Sequence, residues 1–419
     1  MSRIKNAEQL ATTPLRKDAL AIAEAAFDAI DTETVIRARL AYSGSTLTID
    51  GTGYDLNAYK RIMVLGFGKA SCKAVQTIEG LLRERITKGV AIDVHAGVCD
   101  IVEVAQGSHP RPSAGNVEVS ERMVALAREA GADDLVIVVV SGGGSSLLCW
   151  PAEECDQGGK LYDDAKRVGM TIAEMNTVRR HVSAVKGGGL AAVLYPATVL
   201  SLVFCDVPGD HFEDVASGPT FYDTSTIADA QAILDRYQLT GYTLTETPKD
   251  KSLFDKVTNL HMVSNSLALT GMAAAAAKLG YRVVNVGSAL YDEPQVLIQK
   301  MRAEAGEKLA VIAGGESRLS VARAGGKGGR CQYIALAALS QLAEHELLLP
   351  FASDGIDNSD TAGAIADSET KRKLAEKNIS VPAALESFDT YHPLEASGDI
   401  LFTGQTDANV SDLYIFLRM

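Results

Sequence analysis

The feature that most constrains this chain is a recurring unit. An apolar, β-branched run meets a loop of Gly, Ser or Asp, and helix-forming residues usually follow. The runs fall at residues 62–65, 135–140, 198–205, 261–263, 282–286, 309–313 and 347–352. They lack polar alternation, so strands built from them must be covered on both faces, and the intervening helices supply the cover. The pattern predicts an α/β fold with a mostly parallel sheet. In such sheets ligands bind just beyond the carboxyl ends of the strands, which directs attention to the loops after these runs.

A chain of 419 residues exceeds one ordinary hydrophobic core. Residues 14–40 read as one amphipathic helix, with Leu15, Ala19, Ile22, Ala26 and Ile30 near helical spacing. The softest internal boundary is the polar, turn-rich stretch 238–259, followed by a strand and an alanine-rich helix over 268–278. A second weak point is the charged stretch 304–308, and we place the domains at 1–299 and 300–419.

The net charge of −13 argues against a nucleic-acid partner, which demands clustered Lys and Arg. It leaves small anionic substrates open, because these feel the charges lining a cleft. The six cysteines show no C-x-x-C spacing, and several lie in apolar runs, as reduced core thiols do. The opening residues lack the apolar segment of a signal peptide, and the longest apolar run, 190–205, is too short and broken to span a membrane. These features together predict a cytoplasmic enzyme.

Several loops carry chemistry. Gly66-Phe67-Gly68-Lys69-Ala70-Ser71 follows the run at 62–65 and precedes a helix. Its glycines permit close backbone approach, the helix start offers free N–H groups, and Lys69 adds a mobile cation. The same segment is a degenerate G-x-G-x-x-G dinucleotide motif, with Asp93 at the end of the next strand as a ribose partner. Ser141-Gly142-Gly143-Gly144-Ser145-Ser146 suits an anion nest of successive N–H groups and hydroxyls. Arg179, Arg180, His181 and Lys186 lie on one predicted helix before a glycine triplet, forming either an anion site or a solvated basic face.

Carboxylates recur at strand ends: Asp206 and Asp210, Glu316, then Asp354 and Asp357. They suit Mg²⁺ ligation or hydroxyl orientation, although each alone also suits a cap or turn. Gly325-Gly326-Lys327-Gly328-Gly329-Arg330 is basic and glycine-rich but is no Walker loop, since Gly follows Lys327. Arg330 there is shaped to grip a phosphate or carboxylate with two donors. Anion loops together with acidic, metal-type loops fit phosphoryl transfer, which is mostly positioning and charge neutralisation.

The same segments resemble the class II glycerate 2-kinases. They are GFGKAS at 66–71, HPRP at 109–112, SGGGSS at 141–146, NTVRRHVSAVKGGGLA at 176–191, DVPGD and ASGPT within 206–220, GGES at 314–317, KGGR at 327–330, and SDGIDNSDTAGA at 353–364. TGQTDANVSDLY at 403–414 is similar to the close of that family's MOFRL domain. The resemblance implies a larger Rossmann-like, three-layer N-terminal domain and a smaller MOFRL-type α/β domain, with the active site between them. It implies ATP, Mg²⁺ and conversion of D-glycerate to 2-phosphoglycerate, with Lys69 and Arg330 as catalytic residues. Members of this family were often labelled hydroxypyruvate reductases, and an NAD(P)H-dependent reductase is the alternative from another class. A kinase for another short sugar acid is the nearer one.

On this reading Gly66, Gly68, residues 141–146 and Lys186 handle phosphate, Arg179, Glu316 and Asp354 serve the substrate, and Asp206 and Asp210 hold the metal. Truncating Lys69 or Arg330 is then expected to lower turnover and leave thermal stability nearly unchanged. Ser113, Arg318, Cys331, Tyr333, Gln405 and Asp407 depart from the family's pattern in its site loops, which leaves the acceptor acid open. Self-association is open as well.

Overall fold

The computed structural model describes residues 2–321 and 325–419 and forms two compact units. One comprises residues 32–205 and 211–263; the other comprises residues 1–31, 206–210 and 264–419.

The first unit is organised on six parallel strands in the order Val102–Gln106, Lys88–Asp93, Arg61–Phe67, Asp134–Ser141, Thr198–Phe204, Val257–Val263. Numbered along the chain this is 3-2-1-4-5-6, the Rossmann order. The central strand Asp134–Ser141 is buried along its whole length, so the sheet is covered on both faces and the unit has three layers. The order reverses between Arg61–Phe67 and Asp134–Ser141, which pair in register from Arg61↔Asp134 to Phe67↔Val140. Their carboxyl ends therefore release the 66–71 and 141–146 loops side by side, at the switch point where such sheets bind ligands. A small antiparallel meander, Leu40–Ser43, Thr46–Ile49 and Thr52–Asp55, precedes the sheet.

The second unit holds a mixed sheet. Arg282–Leu290 pairs parallel with Leu309–Gly315, which pairs antiparallel with the C-terminal strand Asp412–Arg418. That last strand is inserted between Leu309–Gly315 and Glu346–Ala352, and short strands extend the far edge.

The units are drawn differently from a single cut near residue 299. The expected 14–40 helix is two helices, Pro14–Ile30 and Thr32–Arg39, because Asp31 leaves the helical region at ψ 120°. Pro14–Ile30 packs on the alanine-rich helix Asn265–Lys278, where a Cβ on Gly271 would lie 2.7 Å from Ala29 Cβ. Small residues on both helices thus hold the first 31 residues to the C-terminal unit. Residues 264–299 join it through the parallel pairing of Arg282–Leu290. The stretch 238–259 stays with the first unit, held in part by Thr245 donating to the His181 carbonyl at 2.6 Å. Among the described residues no helix is long and apolar enough to cross a membrane.

Candidate active site

Two turns meet at the switch point. The Lys69 N–H donates to the Gly142 carbonyl at 2.9 Å, and the Ala70 N–H donates to Ser141 Oγ at 3.1 Å. Gly68 makes this approach possible. It has φ +119°, and a Cβ there would overlap Ser141 Oγ and lie 2.7 Å from its carbonyl carbon. Gly68→Ala is therefore expected to cost about 1–3 kcal/mol from the backbone conformation alone, with the overlap adding to it. A melting temperature within a degree of the parent's would show that the two turns tolerate separation.

Gly66 has a different task from the one expected. It lies inside the strand Arg61–Phe67, and a Cβ there would meet Val75 Cγ1 at 2.9 Å, so it lets the helix Ser71–Leu82 pack on the sheet. A Cβ on Gly144 would likewise lie 2.7 Å from Ala216 Cβ. Gly143, at φ +80°, starts the short helix Gly144–Leu147. The first N–H groups of a helix lack intrahelical partners. Among the described residues those of Gly143, Gly144 and Ser145 find none elsewhere. Ser145 Oγ lies 2.9 Å from Ser217 Oγ, which donates to Asn176 Oδ1 at 3.1 Å, and Ser146 Oγ donates to the Gly143 carbonyl at 3.1 Å. The serine hydroxyls thus brace the turn, and the bare amides are what it offers to an anion.

Basic side chains lie beside those amides. The Lys69 stem and the His109 ring both lie against Gly143, where a Cβ would meet Lys69 Cγ at 3.3 Å and His109 Cδ2 at 3.0 Å. The Lys69 ammonium has no hydrogen bond or ion pair among the described residues. Arg179 lines a recess with Ser145, Ser146 and Pro110 and also makes no hydrogen bond there. Burial lowers its pKa to about 10, so it remains a cation at neutral pH.

The rest of the expected basic cluster is already neutralised. The helix Ile172–His181 ends before Lys186. Arg180 pairs with Asp214 at 2.6 Å and Asp223 at 3.3 Å, while the buried His181 ring contacts the Thr177 carbonyl at 2.9 Å. Lys186, expected to bind phosphate, is buried. Its Nζ donates to the Leu148 carbonyl at 2.8 Å and to Glu154, a buried carboxylate whose pKa burial raises.

Asp93 does not await a ribose. Its buried carboxylate accepts from the Cys72 N–H at 2.9 Å and the His95 N–H at 3.1 Å, so it caps the helix Ser71–Leu82. The protein's own anion thus occupies the helix start that a dinucleotide pyrophosphate would use.

In the C-terminal unit, Arg330 opens the helix Arg330–Ala338. Its fork, expected to await a ligand, is engaged. Nε donates to Asp412 at 3.1 Å and Nη1 to Glu316 at 2.6 Å. Asp412 is buried at the start of the C-terminal strand, and burial pushes its pKa up to about 7 against the pull of Arg330. Asp357 accepts from the Cys331 and Gln332 N–H groups at 3.0 and 2.8 Å, capping the Arg330 helix, and burial pushes it up to about 6. Asp354 is a turn residue whose Oδ1 accepts from the Ile356 N–H at 3.0 Å.

Gly325 and Gly326 face solvent and Gly329 is buried, yet all of these glycines have close neighbours where a side chain would stand. A Cβ on Gly326 would lie 2.6 Å from Asp389 Cα, and the Thr390 and Tyr391 N–H groups donate to the Lys327 carbonyl at 3.1 and 2.9 Å. A cavity of about 570 Å³ lies beside Arg330, Asp412, Tyr333 and Phe388. Tyr333 and Cys331, two departures expected in a loop, lie in the Arg330 helix, where Cys331 is fully buried and Tyr333 stacks on Phe388 at 5.8 Å.

Among the described residues the groups of three or more metal-capable side chains include neither Asp206 nor Asp210. The Ser266 N–H approaches Asp210 Oδ1 at 3.4 Å, and Ser411 Oγ donates to the Asp206 carbonyl at 2.8 Å. Among the described residues the three metal-capable side chains that do gather are His211, Glu213 and Asp214, of which Asp214 is already paired to Arg180. None of the six cysteines is in a disulfide, and three of them are buried.

Sequence reasoning missed Glu154, Asp412 and Asn176, whose importance comes from partners distant in the chain. It quoted His109 only as part of a motif.

The fold and this site define a class: an α/β protein with a Rossmann-order sheet, a glycine-rich turn with bare amides at its switch point, and a second, mixed-sheet unit. Comparison with known proteins narrows it. Residues 18–249 match the domain of unknown function DUF4147, and residues 309–412 match the MOFRL family. A glycerate 2-kinase from Pyrococcus horikoshii is 30% identical over 96% of this chain and 97% of that protein. A relative from Agrobacterium vitis named for hydroxypyruvate reductase is 33% identical over 85% of this chain and 87% of its own. The crystal structure of a glycerate kinase from Thermotoga maritima superposes with a TM-score of 0.85, covering 96% of this chain and 99% of that one at 28% identity. The chain belongs to the glycerate kinase family, with a DUF4147 domain followed by a MOFRL domain.

Proposed function

We propose that this chain is an ATP-dependent glycerate 2-kinase that converts D-glycerate to 2-phosphoglycerate. The observation that carries the reading is the convergence at Gly143 of unpaired amides, the stem of Lys69, whose ammonium has no partner among the described residues, and, in the recess alongside, Arg179. Amides of residues 143–145 suit phosphate oxygens. Lys69, a compact and mobile charge, suits the phosphoryl group in transit, and Arg179 suits the planar carboxylate of the acid.

Arg330 is proposed as a further anion grip. Its contact with Glu316 is a part-exposed ion pair worth little by itself, and a ligand phosphate or carboxylate can replace it. Mg²⁺ is held by one or two carboxylates beside phosphate oxygens and water. Asp206 and Asp210 are oxygen donors of that kind, four positions apart in the chain. When bound, the metal neutralises phosphate charge.

The test is ADP release over a panel of C3 to C6 hydroxy-acids, run beside NADH oxidation with hydroxypyruvate. D-glycerate is expected to give the highest kcat/KM, with activity lost in EDTA and restored by Mg²⁺. Robust reduction of hydroxypyruvate, with no ADP formed from any acid, would overturn the reading.

A further inference from the structure

The His109 ring stands at the turn without a structural task. It lies against Gly143 on the same side as the Lys69 stem, with its Nε2 3.3 Å from where a Cβ on that glycine would be. Neither ring nitrogen has a hydrogen-bond partner among the described residues, in contrast to His181 and His392. Nothing in the fold therefore fixes its tautomer, and both nitrogens are available to a ligand. Part of the ring meets solvent, so a molecule seated on the amides of 143–145 can reach it.

The charged groups that act on the ring are cations. Burial first, then Lys69 from the 66–71 loop and Arg179 from the helix Ile172–His181, lower its pKa to about 4. Arg111, two residues on, is paired with Asp163. No carboxylate is among the groups shifting the ring, so it is a neutral base at pH 7 with a free lone pair.

We propose that His109 is a catalytic residue that accepts the proton of the acceptor hydroxyl as that oxygen attacks the γ-phosphorus. This rests on the kinase reading above and deepens it. In the step the hydroxyl oxygen forms the new P–O bond and the bond from the γ-phosphorus to the ADP oxygen breaks. The hydroxyl proton moves to a His109 ring nitrogen and leaves to solvent when the products depart. Lys69 and Arg179 have two effects here: they hold the anions, and they keep the base unprotonated before the anions arrive. Bound phosphate and carboxylate then offset those cations and raise the affinity of the ring for a proton at the stage when it must take one.

The experiment uses the full chain, D-glycerate and ATP–Mg²⁺, and compares the parent with His109→Gln and His109→Ala by ADP release across pH 4 to 9. Both variants are expected to lose about 100-fold or more in kcat, the usual contribution of a positioned base. The KM for glycerate should stay within about threefold. In the parent, the acid limb of kcat should lie at higher pH than that of kcat/KM, since kcat reports the occupied site. Both limbs should vanish in His109→Gln. Free imidazole should restore His109→Ala in proportion to its unprotonated fraction, which a purely structural loss would not allow. Variants within threefold of the parent rate, or acid limbs unchanged in His109→Gln, would overturn the proposal while leaving the kinase reading in place. A parent that forms no ADP from any hydroxy-acid would overturn the kinase reading and this step with it.

Discussion

Replacing Lys69 with Ala is expected to lower turnover by about two to three orders of magnitude, as removal of one preplaced donor does. The melting temperature should barely move. The two halves of that expectation have different origins. Charge spreads over the transferring phosphoryl oxygens and must be met in place, and Lys69, whose stem lies beside the free amides at the switch point, carries an ammonium with no partner among the described residues. Stability depends on what the side chain holds together. Its ammonium holds nothing among the described residues, and the Lys69 backbone link to Gly142 survives the substitution. Lys186 is the internal control, since its ammonium is buried against Glu154 and its loss should appear in melting. A Lys69→Ala enzyme that turns over within a few-fold of the parent would remove Lys69 from the mechanism.

The comparison of these two lysines shows what the sequence could and could not carry. Each lies near a glycine-rich turn, and composition makes both candidates for phosphate. What separates them is Glu154, 32 residues from Lys186 in the chain, and no spacing rule links the two. The strands were legible because burial on both faces leaves a continuous apolar run, as in Asp134–Ser141. The switch point was not, since it depends on which strands become neighbours. Gly66 and Gly68 sit two residues apart in one motif, yet one serves packing and the other a left-handed turn. The C-terminal strand Asp412–Arg418 escaped notice as a strand because its place between Leu309–Gly315 and Glu346–Ala352 is decided by pairing across sixty or more residues. That placement also puts Asp412 beside Arg330, 82 positions away.

From that contact follows an expectation opposite to the one the sequence supports for Arg330. Arg330→Ala should destabilise the full chain by about 3 kcal/mol, the lower end for breaking a buried pair, because Arg330 keeps 37% of its side-chain surface exposed. The loss arises at Asp412, whose side chain is 3% exposed and is left without its cation, and little of it arises at Glu316, which faces solvent. The sign of the pH dependence follows from the raised carboxyl pKa values. Asp412 at about 7 and Asp357 at about 6 hold protons in the folded chain that the unfolded chain releases near 3.9. Their contribution to stability is present below that value and is lost as pH rises through 6 and 7. Without Arg330, Asp412 shifts further up, so the deficit of Arg330→Ala relative to the parent should widen between pH 5 and pH 8. Adding Asp412→Asn should recover most of it, because a neutral amide needs no cation, and should flatten the pH dependence. Melting curves of the parent, the single variant and the double variant at the two pH values decide the matter. A deficit that is equal at both and unrelieved by Asp412→Asn would mean that Arg330 stabilises the helix Arg330–Ala338 by packing, and that its pairing with Asp412 contributes little.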